Sequence, residues 1–234
     1  MPPLPTVIEA KQAAVELCST MRRIHRRGWC DGTGGNFSCR LRRDPLELLM
    51  APSGVDKGSL RPGDLIVVDG GGEVLRGKGR ASAETLLHIA LMEHAQAGAV
   101  LHSHSQAGTL LSRLALGRRD PSPTEGEVVC IEHAGLEMLK GLEGIRSHEC
   151  RVRVPVLAND QDIGRLAQAA RPLLPDCPWG FLVAGHGLYA WGTDLTSARR
   201  HLEIHEFLLE QHWRTLLLQG GSPLVSTGPW EHRL

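Results

Sequence analysis

Apolar residues recur three and four apart from Val7 through Ala10, Ala14, Leu17, Met21 and Ile24, which lays one stripe along a helix. Gly28 ends it, and "TVIE" (6–9) supplies a capping box, with Thr6 as N-cap and Glu9 reaching back. The pattern then changes period. "NFSCRL" (36–41) and "LELLMAP" (46–52), joined by "RRDP", read as a hairpin. "DLIVVD" (64–69), a glycine turn and "EVLRG" (73–77) read as a second. "SAETLLHIALMEHAQA" (82–97) is expected to be a helix with Ser82 as N-cap and Glu84 in its first turn. "AVLHSH" (99–104) follows as a strand and "SQAGTLLSRLAL" (105–116) as a helix. Then come a strand "VVCIEH" (128–133), a short helix "AGLEMLKGL" (134–142), a strand "RVRVPVL" (151–157) and a helix "DQDIGRLAQAARPLL" (160–174). "WGFLVAGHGLYAWG" (179–192) reads as paired strands about a tight turn, residues 194–219 as a long closing helix, and 220–234 as a loose tail. Interleaved strands and helices without a repeat or linker predict one α/β domain over residues 1–234, its largely antiparallel or mixed sheet covered by helices. A Rossmann unit is excluded, because "GTGGN" follows a helix rather than a strand.

At 234 residues the chain is long enough to bury a substantial core. Lysine plus arginine equals aspartate plus glutamate, 26 against 26, so no net charge points to nucleic acid or an acidic membrane. The basic clusters "MRRIHRR" and "RLRRD" read as a solvated face or a subunit contact. The N-terminus has no basic start followed by an apolar core, and no run approaches the roughly 18 apolar residues of a spanning helix. Six cysteines (18, 30, 39, 130, 150 and 177) show no CxxC spacing and read as reduced thiols, which predicts a cytoplasmic protein.

Chemistry enters with "VLHSHSQAG" (100–108). On a strand, residues i and i+2 face the same side, so His102 and His104 present two imidazoles to one point. They are either a metal pair or two polar residues where a strand surfaces. His186, between Gly185 and Gly187, is a third imidazole that a tight turn could aim, or merely expose. Three neutral imidazoles with an open position make a catalytic zinc set. "HLEIH" (201–205) has the spacing of a zinc helix, but Leu202 stands where the water-poising glutamate belongs. It reads instead as a face packed on another element or another subunit. Glu137, with Leu136, Met138 and Leu139 around it, is either a partly desolvated acid/base or a solvated carboxylate on an amphipathic helix. The glycine and hydroxyl turns at Gly34, Gly35 and Asn36, at Ser53 and Gly54, and at Ser82 suit a phosphate group, with Lys57 as an added charge.

In order, "GGNFS", "APSGVDKGSL", "ASAETLLHIAL", "AVLHSHSQAG" and "AGHGLYAWG" resemble the class II aldolase/adducin family over about residues 6–218. The resemblance implies a class II aldolase-like three-layer α/β fold, a central, largely antiparallel sheet with helices on both faces, assembled as a homotetramer. It implies one Zn2+ per subunit on His102, His104 and His186, Glu137 as the catalytic acid/base, and phosphate contacts at Gly35, Asn36, Ser53, Gly54 and Ser82. Glu84 matches an acid/base position of the sugar-phosphate aldolases and is carried as a secondary acid/base. "GLEMLKGLEG", "RSHE" and "VPVLANDQDI" resemble the branch that dehydrates 5-methylthioribulose 1-phosphate in methionine salvage. Aldolases and epimerases of the family are expected to use a tyrosine as proton donor, and the sole tyrosine here is Tyr189, on a strand that reads as core. A fuculose- or rhamnulose-phosphate aldolase is the alternative activity, and a non-catalytic, adducin-like binding module the alternative class.

Overall fold

Helix α1 (Val7–Arg26) forms where the stripe predicts it, and Leu17, Cys18, Met21 and Ile24 lose all solvent contact along its inner face. Arg23, His25 and Arg26 fill its last turn, where cations suit the helix dipole. Gly28 then takes a positive φ of 68°, its N–H bonding the His25 carbonyl and that of Trp29 the Ile24 carbonyl. The computed structural model describes residues 7–117, 128–219 and 225–226; Thr6, the expected N-cap, lies outside them.

Contacts divide the chain into two compact units, residues up to His104 with Trp191–Arg199, and Ser105–Ala190 with the residues from Arg200 onward. Each unit has its own run of paired strands. In the first unit β1 (Asn36–Arg43), β2 (Leu46–Met50), β3 (Ile66–Asp69), β4 (Val74–Arg76) and β5 (Ala99–Ser103) run in the order β4-β3-β2-β1-β5, every pair antiparallel. All five residues of β5 are buried, which is why Ala99, Val100 and Leu101 run together without alternation before His102 and Ser103. Helix α2 (Thr85–His94) buries Leu87 through Met92 without a break, so its sequence lacks a polar stripe.

The second unit contains β6 (Val129–His133), β7 (Val152–Leu157), β8 (Gly180–Val183), most of β9 (Gly187–Gly192) and β10 (Val225–Ser226), in the order β9-β8-β7-β6-β10. Only β7 and β8 are parallel among the pairs in this unit. Helices α3 (Gln106–Gly117), α4 (Ile163–Ala170) and α5 (Leu195–Gln219) complete the described α-helices.

Four expectations change. Ser82 is not the N-cap of α2: its carbonyl and hydroxyl accept the Thr85 and Glu84 N–H groups in a tight turn, and Glu84 stands at the cap. The helix expected over 134–142 is a single 3-10 stretch, Glu137–Gly141. The one expected over 160–174 stops as α-helix at Ala170 and tightens over Arg171–Asp176, where Pro172 and Pro175 remove backbone donors. Within the tail, Val225 and Ser226 pair with Ile131 and Cys130 of β6; the rest of it lies outside the described residues.

Candidate metal centre

Strand β5 ends by presenting its histidines. His102 pairs across the ladder with Asn36 of β1 and is fully buried, and His104, one residue beyond the strand, is anchored by its N–H on the Trp29 carbonyl at 2.7 Å. The two imidazoles meet edge to face, ring centroids 4.6 Å apart, with their Nε2 atoms 2.8 Å from each other. Side chains two apart thus converge on one point, as strand geometry requires.

The loop before β1 has glycine because the histidines press on it. A Cβ on Gly34 would stand 2.9 Å from His104 Nδ1, and one on Gly35, whose φ is +77°, 2.8 Å from the His102 carbonyl oxygen. Gly35→Ala is therefore expected to cost about 2 kcal/mol or more from backbone strain and overpacking, and to lower metal content because His102 must shift. Urea unfolding together with metal analysis checks it; an alanine variant of wild-type stability and metal content would refute the crowding.

Glu84, at the start of α2, brings a carboxylate to the same place. Its Oε2 accepts from the Asn36 amide and lies 3.7 Å from His102 Nε2. His186 sits in the turn between β8 and β9, with Gly185 at φ +66°. Helix α3 clamps that turn: Thr109 Oγ1 donates to the His186 carbonyl at 3.1 Å, and Ser112 Oγ accepts the Gly185 N–H at 3.1 Å. These two hydroxyls escaped the sequence reading; their one signal is a spacing of three on a helix that directly follows the histidine strand. Two imidazoles that meet at one point, with a carboxylate beside His102, suit a divalent metal of the zinc type, and His186 is the third imidazole of the expected set.

Other expected site residues are placed differently. Glu137 is not desolvated. Its side chain is 71% exposed, ion-paired with Lys140 and 3.8 Å from His148, and the Lys140 ammonium holds its carboxyl below the usual range. Of the apolar neighbours that suggested burial, Leu139 is buried, Leu136 half-buried and Met138 exposed. Lys57 is buried, with Nζ on two backbone carbonyls, rather than a free surface charge. Ser53 is held by its N–H on the Arg80 carbonyl, and Gly54 turns with φ +73° beside open space. Among the described residues no acceptor takes the N–H of Gly54 or Val55. Ser82 closes the turn that leads to Glu84.

The "HLEIH" histidines are packing groups, as expected. His205 Nε2 bonds the Pro178 carbonyl at 2.7 Å, and His201 stacks on Trp179. All six cysteines are free thiols. No helix among the described residues is long and apolar enough to cross a membrane.

The family model for the class II aldolase and adducin N-terminal domain matches residues 15–213. The chain is 41% identical over 209 residues to the methylthioribulose-1-phosphate dehydratase of Pseudomonas fluorescens, covering 88% of this chain and 94% of that one. It is 42% identical over 224 residues to the protein of the same name from Xanthomonas campestris, covering 94% and 97%. Among solved structures, YgbL of Klebsiella pneumoniae superposes with a TM-score of 0.72 at 29% identity over 88% of this chain and 90% of that one. An L-fuculose 1-phosphate aldolase shares the fold, with a TM-score of 0.70 at 22% identity over 92% and 90%.

Proposed function

Since the chain belongs to the class II aldolase and adducin family, we propose that it is a zinc-dependent dehydratase that converts 5-methylthioribulose 1-phosphate to 5-methylthio-2,3-dioxopentyl phosphate and water, in methionine salvage. The observation that carries this reading is identity above 40% with dehydratases across most of the chain. Tyr189 supports it from the structure. It is fully buried in β9 and stacked on Phe181, a poor place for the tyrosine proton donor expected of an aldolase. The reading carries with it a cytoplasmic homotetramer whose partner is a phosphorylated small molecule.

In this reading His102, His104 and His186 hold the zinc, which when bound supplies Lewis acidity to the substrate's C2 ketone and so acidifies the C3 proton. The turns at Gly35, Asn36, Ser53, Gly54 and Ser82 receive the phosphate. Glu137 enters as a carboxylate, the form its Lys140 partner favours, and so begins as a base. It takes the C3 proton; the C4–O bond breaks as the C3–C4 double bond forms, and the proton on Glu137 passes to the departing hydroxyl as water. The remaining enol ketonises at C3. Glu84, accepting from Asn36 and close to His102, orients the metal-facing imidazole and is a secondary acid/base.

Mass spectrometry of the reaction, with and without prior chelation, tests the reading. The expected product is lighter than substrate by one water, disappears on chelation and returns with zinc. Release of dihydroxyacetone phosphate instead from fuculose or rhamnulose 1-phosphate would favour the aldolase, for which Glu84 beside His102 is the supporting feature. Glu137→Gln is expected to lower turnover about a thousandfold and to leave zinc content unchanged; normal turnover in that variant would remove Glu137 from the proton transfers.

A further inference from the structure

Lys57 carries its charge where a lysine seldom lies, with 1% of its surface exposed. Its ammonium donates to the Thr33 and Val55 carbonyls, both at 2.9 Å, and among the described residues no carboxylate forms an ion pair with it. Burial pulls its pKa down, opposed by Cys30, Asp56 and Glu84. A buried cation without a salt bridge is costly unless the fold uses it. The two acceptors belong to different turns. Thr33 precedes Gly34, Gly35 and Asn36, and Val55 follows Ser53 and Gly54. Each carbonyl drawn onto an ammonium makes a charge-assisted bond. Because the peptide is planar and trans, turning the Val55 oxygen inward turns the Asp56 N–H outward. The same turn leaves the N–H groups of Gly54 and Val55 without acceptors among the described residues. Outward amides on a turn with a left-handed glycine form an anion-binding concavity.

We propose that Lys57 is a positioning residue that ties these two turns into a single receptor for the substrate's phosphate, setting the backbone from beneath instead of touching the anion. The proposal rests on the reading that the substrate is a phosphate ester held by these turns. It also accounts for a lysine at the end of "APSGVD" pointing away from solvent.

The test compares zinc-loaded wild type with Lys57→Met and Lys57→Gln, by turnover of 5-methylthioribulose 1-phosphate and by competitive inhibition with inorganic phosphate. In Lys57→Met, KM and the phosphate inhibition constant are expected to rise together by about tenfold or more, with kcat within about threefold of wild type. Zinc content stays the same. Lys57→Gln, which keeps a donor for one carbonyl, falls between. Wild-type KM and phosphate inhibition in Lys57→Met overturn the proposal whatever its melting temperature, as does a fall in kcat at unchanged KM. If Lys57→Met does not fold, hydrogen exchange on the wild type decides: inorganic phosphate should protect residues 33–36 and 53–57 with one midpoint, and protection of one turn alone overturns the proposal. Phosphate binding measured by calorimetry separates the two readings. A wild type that binds phosphate without dehydrating the ketose refutes the dehydratase and leaves Lys57 testable by that binding, while one that binds no phosphate overturns the role of Lys57.

Discussion

His104→Ala is expected to lose its zinc and to lower dehydration about a thousandfold or more, the rate equivalent of the several kcal/mol that a Lewis acid lends a reacting carbonyl. The loss follows from geometry. His104 Nε2 stands 2.8 Å from His102 Nε2, and its backbone is fixed by the Trp29 carbonyl. Removing one imidazole strips the expected three-histidine set to two, with the Glu84 carboxylate 3.7 Å from His102. The fold should survive, because His104 lies beyond the strand and its side chain is only half-buried. Zinc per chain, measured on the purified variant, and turnover should fall together while the circular dichroism spectrum is retained. A fully metallated His104→Ala with normal turnover would contradict the triad. Zinc retained with turnover lost would instead make His104 a substrate contact.

The histidine pair was legible because strand periodicity is strict: spacing of two on a buried run leaves one direction for both rings. His186 was legible through Gly185, whose left-handed φ the turn uses. The hairpins were legible from alternation and turn residues, and α2 from its length and flanks although nearly every side is buried. What the sequence could not display is where side chains end. Leu136, Met138 and Leu139 suggested a desolvated Glu137, yet a 3-10 stretch of five residues has too little surface to enclose a carboxylate, and Lys140 three residues on offered it a partner. Lys57 reads as a surface charge in any one-dimensional window, but its ammonium finds an acceptor in the Thr33 carbonyl, which lies far from it in the chain. The Ser82 cap moved for a similar reason. Asn36 of β1 draws Glu84 to the histidines, and the helix begins where that carboxylate is held.

Acidification from pH 7 to pH 5, with metal chelated throughout, is expected to remove about 6 kcal/mol of stability through three buried histidines, roughly 2 kcal/mol from each. Burial pushes His88 and His205 down to about 4 and His133 down to about 3. The sign follows from proton counts. Below the ordinary histidine pKa of about 6.5 the unfolded chain binds three protons that the folded chain refuses until about pH 4, so stability is intact above pH 6.5 and falls as pH drops through that window. Against a typical net domain stability of about 5–15 kcal/mol, this is a large loss. His133 separates this cause from the titration of exposed carboxylates, since Asp160, held by Arg165, protonates only near about 2. Its Nε2 is buried on β6 with no hydrogen bond among the described residues, the His212 ring 5.6 Å away and His205 also close enough to disfavour its charge. His133→Leu therefore removes an unsatisfied polar atom as well as a titrating one. It should stabilise the protein by about 1 kcal/mol at pH 7 and flatten the acid limb by about 1.4 kcal/mol per pH unit between pH 6 and 4. Urea unfolding at pH 7, 6, 5 and 4 measures both; a variant whose stability falls as steeply as wild type would show that the acid limb belongs to other groups.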